Sequence, residues 1–196
     1  VLARRALLDA LHALGTHLDA ITLVGAQAIY LRVGEADLAV APYTTDGDLA
    51  IDPERLGPLP PLEFALTRAG FAPKDAESVG VWITRRSTFD GNTVDVPVDL
   101  LVPSAVSGRR NRRAARLAGH DSRAARIVVG LEGALVDAER LALPSLEPSD
   151  SRVAEVRVAG PEALILAKTH KIGDRSGSDR SSDKDALDVL RILRGV

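Results

Sequence analysis

Between Arg4 and about His17, apolar residues return every three or four positions, at Ala6, Leu7, Ala10, Leu11 and Leu14. That is the spacing of one buried helix face, and Gly15 offers a stop. The period then changes. Ile21-Thr22-Leu23-Val24 is a short β-branched run, and Gly25 to Leu31 follows it at once with helical character. A loop of small and acidic residues, 34–42, leads to Thr44-Thr45-Asp46-Gly47-Asp48-Leu49-Ala50-Ile51, which reads as a strand ended by Asp52-Pro53. Pro60-Pro61 opens a helix through about Arg68 that Gly70 closes. Val79 to Thr84 reads as a strand, Asp90-Gly91-Asn92 as a hairpin turn, and Thr93 to Val102 as a further strand. Pro97 inside that strand calls for an edge position or a bulge. The stretches 127–129, 134–143 and 151–158 are apolar or alternating, and their pairing stays open. Gly160-Pro161 starts a helix, 173–182 is a polar loop, and a last helix runs from an Asp183 N-cap through Leu193, with Leu187, Leu190 and Leu193 as its core stripe.

Composition narrows the class. With 196 residues, 45% hydrophobic and 27% charged, the chain suffices for one core, or for one core with an appended subdomain. No apolar run reaches the length of a membrane span, and Val1-Leu2-Ala3-Arg4-Arg5 leads into an amphipathic pattern, so a cytoplasmic location without membrane association is expected. The absence of cysteine excludes disulfides and thiolate zinc sites. The four histidines show no ligand-pair spacing, so any metal is expected to be a hard ion on oxygen. The net charge of −2 hides local asymmetry. Only four of the 25 basic residues are lysines, and three of them fall in the last 29 positions. All six aromatics lie in the first half, which argues against a base-stacking platform.

The candidate chemistry begins at Asp46 and Asp48. Extended backbone sends both to one face. Two carboxylates so close repel unless a cation lies between them, and Mg²⁺ is commonly held by one or two carboxylates plus substrate phosphates. A bare Asp-x-Asp is also a common solvated turn. Gly47 would let phosphates approach the backbone without a Cβ in the way. Gly25 and Ala26, at a strand-to-helix turn, either present free N–H groups to a phosphate or simply allow tight helix–sheet packing. Asp99 directly precedes the apolar Leu100-Leu101-Val102 and is expensive to bury without a partner. Seven arginines between 109 and 126, with Asp121 the one acid among them, form either a solvated loop or a phosphate-backbone grip. Lys168 and Lys171 share a helix face, although cations are favoured near a helix C-terminus in any case. Lys184 and Asp188 have the spacing of a helix ion pair.

Gly25-Ala26, then Asp46-x-Asp48 on a strand, then a third Asp on a later strand, resembles the nucleotidyltransferase superfamily. Thr44-x-Asp46-x-Asp48 with Asp99 resembles its branch of AbiEii-like and MenT-like toxins, although Ala26 stands where Gly or Ser is more usual. Lys168, Lys171 and Arg175, followed by Lys184-Asp185 and Asp188, resemble the C-terminal motif of the same branch. The resemblance implies an α+β nucleotidyltransferase fold: a mixed twisted sheet flanked by helices, with a core over 1–105 carrying the metal carboxylates and a mainly helical C-terminal portion over 106–196.

It further implies an enzyme that transfers NMP from an NTP to an RNA acceptor, the tRNA 3′ end, and so blocks translation as the toxin of a toxin–antitoxin pair. Its partners would be tRNA, the NTP and a cognate antitoxin. Asp46, Asp48 and Asp99 would hold two Mg²⁺ ions. Gly25, Ala26, Thr44, Lys168 and Lys171 would bind the nucleotide, and Asp185 would orient a lysine or a nucleotide group. Arg109, Arg110, Arg112, Arg113 and Arg116 would grip the RNA. Thr44 is a candidate phosphorylation site, where about −1.5 to −2 of added charge would compete for Mg²⁺ or NTP. A small-molecule nucleotidyltransferase and a non-catalytic nucleotide-binding protein are the rival readings.

Overall fold

The computed structural model describes residues 1–34, 44–107, 113–175 and 183–195. The expected loop at 34–42 falls almost wholly outside them, as do Arg109, Arg110, Arg112, most of the loop at 173–182 and the side chains of Arg175 and Asp183.

Four strands set the centre. β1 (Ile21–Val24) is buried along its length, because it lies between two neighbours and under helices on both faces. β2 (Gly47–Ile51) runs antiparallel to it, and β5 (Thr93–Pro103) runs parallel to β2. β8 (Val153–Ala159) lies parallel to the other side of β1. The remaining strands extend this centre outward. β4 (Val81–Ser87) pairs with β5 and β3 (Ala72–Pro73) with β4 beyond it, β7 (Ala138–Pro144) closes the far edge against β8, and β6 (Arg126–Val128) pairs in parallel with the end of β5. The order is β3-β4-β5-β2-β1-β8-β7 in a mixed sheet, so strands from both sides of residue 105 share one sheet. The unresolved pairings of 127–129, 134–143 and 151–158 are thereby answered. Pro97 sits one residue before the point where β2 begins to pair with β5 at Gly47 and Val98. Its missing N–H therefore falls where β5 has β4 on one side and, among the described residues, no second strand opposite, which is the edge-like position the sequence asked for.

Helices cover the two faces. α1 (Leu2–Ala13) and α3 (Leu62–Arg68) pack together on one side, against β2, β5 and β8. α2 (Gly25–Val33), α5 (Pro161–Arg175) and α6 (Asp183–Gly195) pack together on the other, with the one-turn α4 (Gly133–Val136) against α5. α5 is capped from outside its own sequence: Asp137 accepts from the Ala163 N–H at 3.1 Å. No helix among the described residues is long and apolar enough to cross a membrane.

Two expectations about side-chain direction are corrected here. The space left by the missing Cβ of Gly47 faces Leu7 of α1, whose side-chain atoms would lie 3.2 Å from it. Gly47 thus serves helix–sheet packing on the face opposite the carboxylates, as strand alternation requires. On α6 the leucine stripe is not the buried face. Leu190 and Leu193 are 40% and 64% exposed, while Asp185, Asp188, Arg191 and Ile192 are buried. Polar partners on α5 and α2 set the rotation of this helix, so hydrophobicity alone picks the wrong side.

Candidate active site

Strand register builds the acidic centre. Asp48 is the direct partner of Val24 on β1 and of Asp99 on β5, so three adjacent strands meet at one level. In a parallel pair, partnered residues face the same way, which places the Asp48 and Asp99 carboxylates on one face with Asp46 two residues upstream. Thr44, just before the strand, donates its hydroxyl to Asp46 Oδ1 at 2.5 Å. The Asp46 backbone is held as well. Gln27 of α2 donates to its carbonyl at 3.1 Å, and Arg4 Nε donates to Gln27 Oε1 at 2.8 Å. Arg4 in turn donates to the Pro144 carbonyl at 2.7 Å, so this buried chain of bonds ties the turn to β7 across the molecule. Sequence reasoning missed both residues. The one visible signal was a polar Gln27 within the otherwise apolar run from Gly25 to Leu31.

Val24 ends β1 at the Asp48 level, so α2 starts beside the carboxylate. Gly25 has φ +69°, and a Cβ there would lie 2.1 Å from Asp48 Oδ2. Both facts demand glycine: a positive φ strains other residues, and the space is already taken. Gly25→Ala should cost about 1–3 kcal/mol, through left-handed strain and displacement of the Asp48 side chain. Thermal melts should show the loss; an unchanged melt would show that the close approach is dispensable.

Electrostatics marks the same place. Burial, reinforced by repulsion from Asp46 and Asp99, pushes the Asp48 carboxyl up to about 7, against the opposing pull of Lys171 and Lys168. Burial also raises Asp99, although Arg126 opposes it. Arg126 of β6 sits opposite Leu101, two residues along from Asp99, and its guanidinium lies 2.5 Å from Asp99 Oδ2. A hard-oxygen donor set with surplus negative charge fits a divalent cation. Among the described residues no three Asp, Glu, His or Cys side chains converge on one point. Asp46 and Asp48 supply oxygen donors of the kind such an ion takes, and Asp99, beside Asp48 in register, is engaged by Arg126.

The C-terminal helices supply the cations. Lys168 Nζ is buried and lies 2.8 Å from Asp185 Oδ1 and 2.7 Å from Asp188 Oδ2. Burial opposes its charge, but Asp188 and Asp185 outweigh that and hold its pKa above the ordinary lysine value. Asp188 is therefore bound by Lys168 of the neighbouring helix, and the expected Lys184–Asp188 pair gives way to it. Lys171 is half exposed, 3.7 Å from Asp185 Oδ1. Tyr30 of α2 reaches Asp188 at 3.5 Å, and the Arg191 guanidinium lies 5.5 Å from the Tyr30 ring centroid, so the cluster joins α2, α5 and α6.

Asp48, Arg126, Lys168 and Lys171 open on one cleft of about 590 Å³, whereas Asp46, Asp99, Asp185 and Asp188 lie behind its lining. Gly25, Asp48, Arg126, Lys168, Lys171 and Asp174 line its charged end, while Val79, Val81, Ile127, Val129 and Leu131 form an aliphatic wall. The arginine-rich segment divides. Arg113 lines the cleft and Arg116 is exposed, but Arg123 is structural, donating to the carbonyls of Asp75 and Ser78 at 3.0 and 3.1 Å. His120 Nδ1 accepts from the Leu62 N–H at 3.1 Å and so fastens the same segment to α3.

No protein-family model and no curated protein matches the chain. Among solved structures it is similar to an antigenic nucleotidyltransferase-like protein from Paracoccidioides brasiliensis, at 15% identity and a TM-score of 0.52, over 96% of this chain and 74% of that one. At that identity the likeness speaks for architecture: the chain has a nucleotidyltransferase-like α+β fold, with its acidic centre at the meeting of β1, β2 and β5.

Proposed function

We propose that the chain is a Mg²⁺-dependent nucleotidyltransferase toxin that moves NMP from an NTP to an RNA acceptor, the 3′ end of tRNA, and is neutralised by a cognate antitoxin. The observation that carries the reading is the convergence on one cleft of a glycine-started helix, the Asp48 carboxylate and two lysines from the other end of the chain, with Asp99 in register beside Asp48. The aliphatic wall takes the nucleoside, and the charged end takes the triphosphate. Backbone N–H groups at the start of α2 donate to phosphate oxygens, and half-exposed Lys171 adds a positive charge. Lys168, bound to Asp185 and Asp188, faces the cleft as the fixed base of that charge. Asp46 and Asp48 would hold the metal, with Asp99 joining them. Bound Mg²⁺ would supply Lewis-acid activation and neutralise the charge on the leaving oxygens.

The acceptor hydroxyl oxygen attacks the α-phosphorus, the α–β phosphoanhydride bond breaks, and pyrophosphate leaves. Asp99, whose raised pKa suits a base, takes the acceptor proton. Arg113 at the cleft and exposed Arg116 hold the RNA backbone. The toxin and antitoxin parts of the reading rest on the motif resemblance.

The test incubates the pure protein with Mg²⁺, each labelled NTP and total tRNA, beside a panel of small hydroxylated acceptors. Label on tRNA with pyrophosphate release is expected. Label on a small molecule alone would replace the acceptor, and binding without pyrophosphate release would end the enzymatic reading. Protein shown by mass spectrometry to carry phosphate on Thr44 should be inactive in the same assay, because the modified oxygen would stand beside Asp46 Oδ1.

A further inference from the structure

Arg126 is unusual among the described arginines of its segment, Arg113, Arg116 and Arg123. It points into the cleft, pairs with Asp99 at 2.5 Å, and its Nε is buried with no hydrogen-bond partner among the described residues. A guanidinium kept for architecture alone tends to use its fork in full, and an unmet buried donor costs about 1–3 kcal/mol. The arginine is therefore held by one carboxylate and not by a complete set of bonds. That carboxylate is the third acid of the site, next to Asp48 in register. Lys168, the buried cation of the cleft, is by contrast committed to two aspartates.

We propose that Arg126 is an exchangeable internal counter-ion: it neutralises Asp99 while the cleft is empty, and passes to the polyphosphate of the nucleotide when a divalent cation takes its place on Asp99. The inference deepens the nucleotidyltransferase reading and rests on it. The consequence is a coupling built from one residue. Metal alone has to displace Arg126 and binds weakly; polyphosphate alone finds the guanidinium occupied. Each ligand removes the obstacle to the other, so they bind as a pair and not independently. Arg126 is on this account a positioning residue for Asp99 in the empty protein and a phosphate contact in the loaded one.

The experiment measures binding without turnover. Mn²⁺ affinity is read by electron paramagnetic resonance, and affinity for a non-hydrolysable NTP analogue by calorimetry, with and without Mn²⁺. In the wild type the analogue should tighten Mn²⁺ binding beyond its own chelation. Arg126→Met should tighten Mn²⁺ binding in the absence of nucleotide by about tenfold, and the synergy should shrink by a similar factor. Trp82 reports integrity, because its indole N–H donates to the Ala124 carbonyl two residues before Arg126, so a retained fluorescence spectrum shows β6 in place. Asp99→Asn supplies a second arm that does not depend on that variant folding: it frees the guanidinium, and metal-free affinity for the analogue should rise. If the wild type binds both ligands but neither variant changes these affinities, the counter-ion proposal falls and the nucleotidyltransferase reading stands. If the wild type binds neither Mn²⁺ nor any analogue, both fall together.

Discussion

Asp48→Asn is expected to abolish nucleotidyl transfer while making the metal-free protein more stable. On the proposed function Asp48 is a metal carboxylate, whose loss would remove several kcal/mol of transition-state stabilisation, so kcat should fall by about 10³-fold or more. Stability moves the other way because the wild-type carboxylate is held in a place that disfavours its charge: burial and two neighbouring acids raise it to about 7 from an ordinary 3.8. Between those two pH values the folded chain keeps a proton that the unfolded chain has lost. Lowering the pH through that window therefore stabilises the metal-free fold, and raising it past about 7 removes the benefit. The neutral amide escapes this penalty at every pH. Melts in chelator at pH 8 should show Asp48→Asn ahead by about 1 kcal/mol or more, with the advantage vanishing near pH 4. A variant that lost both activity and stability would mean that Asp48 is a structural acid, with its charge compensated in the fold.

This opposition explains why part of the site was legible in the sequence. Asp46, Asp48 and Asp99 stand out because strand alternation is a local rule, and an acid at the mouth of an apolar run violates the economy of burial. The pairing of Asp48 with Asp99, and of both with β1, follows from sheet order, which no local pattern encodes. Gly25 was visible as a helix start, but the reason that it must be glycine lies in the side chain of residue 48. Arg126 was hidden in plain view among seven arginines, since composition treats a guanidinium that grips a carboxylate like one that grips solvent. On α6 the leucine period was real but pointed outward, because the energetic weight of that helix lies in its acids. The spacing of Asp185 and Asp188 on one helical face was readable; their common partner on α5 was not.

That partner gives the largest expected effect on folding. Lys168→Met keeps the length and most of the volume of the side chain but removes an ammonium that two buried carboxylates share at 2.8 and 2.7 Å. Breaking a buried ion pair from one side is far costlier than never having built it, since the remaining charge has no water to return to, and about 3–5 kcal/mol is typical. For a chain of ordinary stability that is a large part of the total. Lys171, 3.7 Å from Asp185 and half exposed, is too far and too wet to replace it. Urea denaturation of Lys168→Met should therefore show an unfolding free energy lower by that amount, and Asp185→Asn with Asp188→Asn in the same chain should recover much of it by removing the stranded charges. The recovered triple variant then separates architecture from chemistry. If Lys168 only anchors α5 to α6, transfer returns with stability; if its charge also steadies the triphosphate, the fold returns and the KM for NTP stays high. A Lys168→Met protein as stable as the wild type would instead mean that water reaches Asp185 and Asp188, and that the cluster is less closed than its burial indicates.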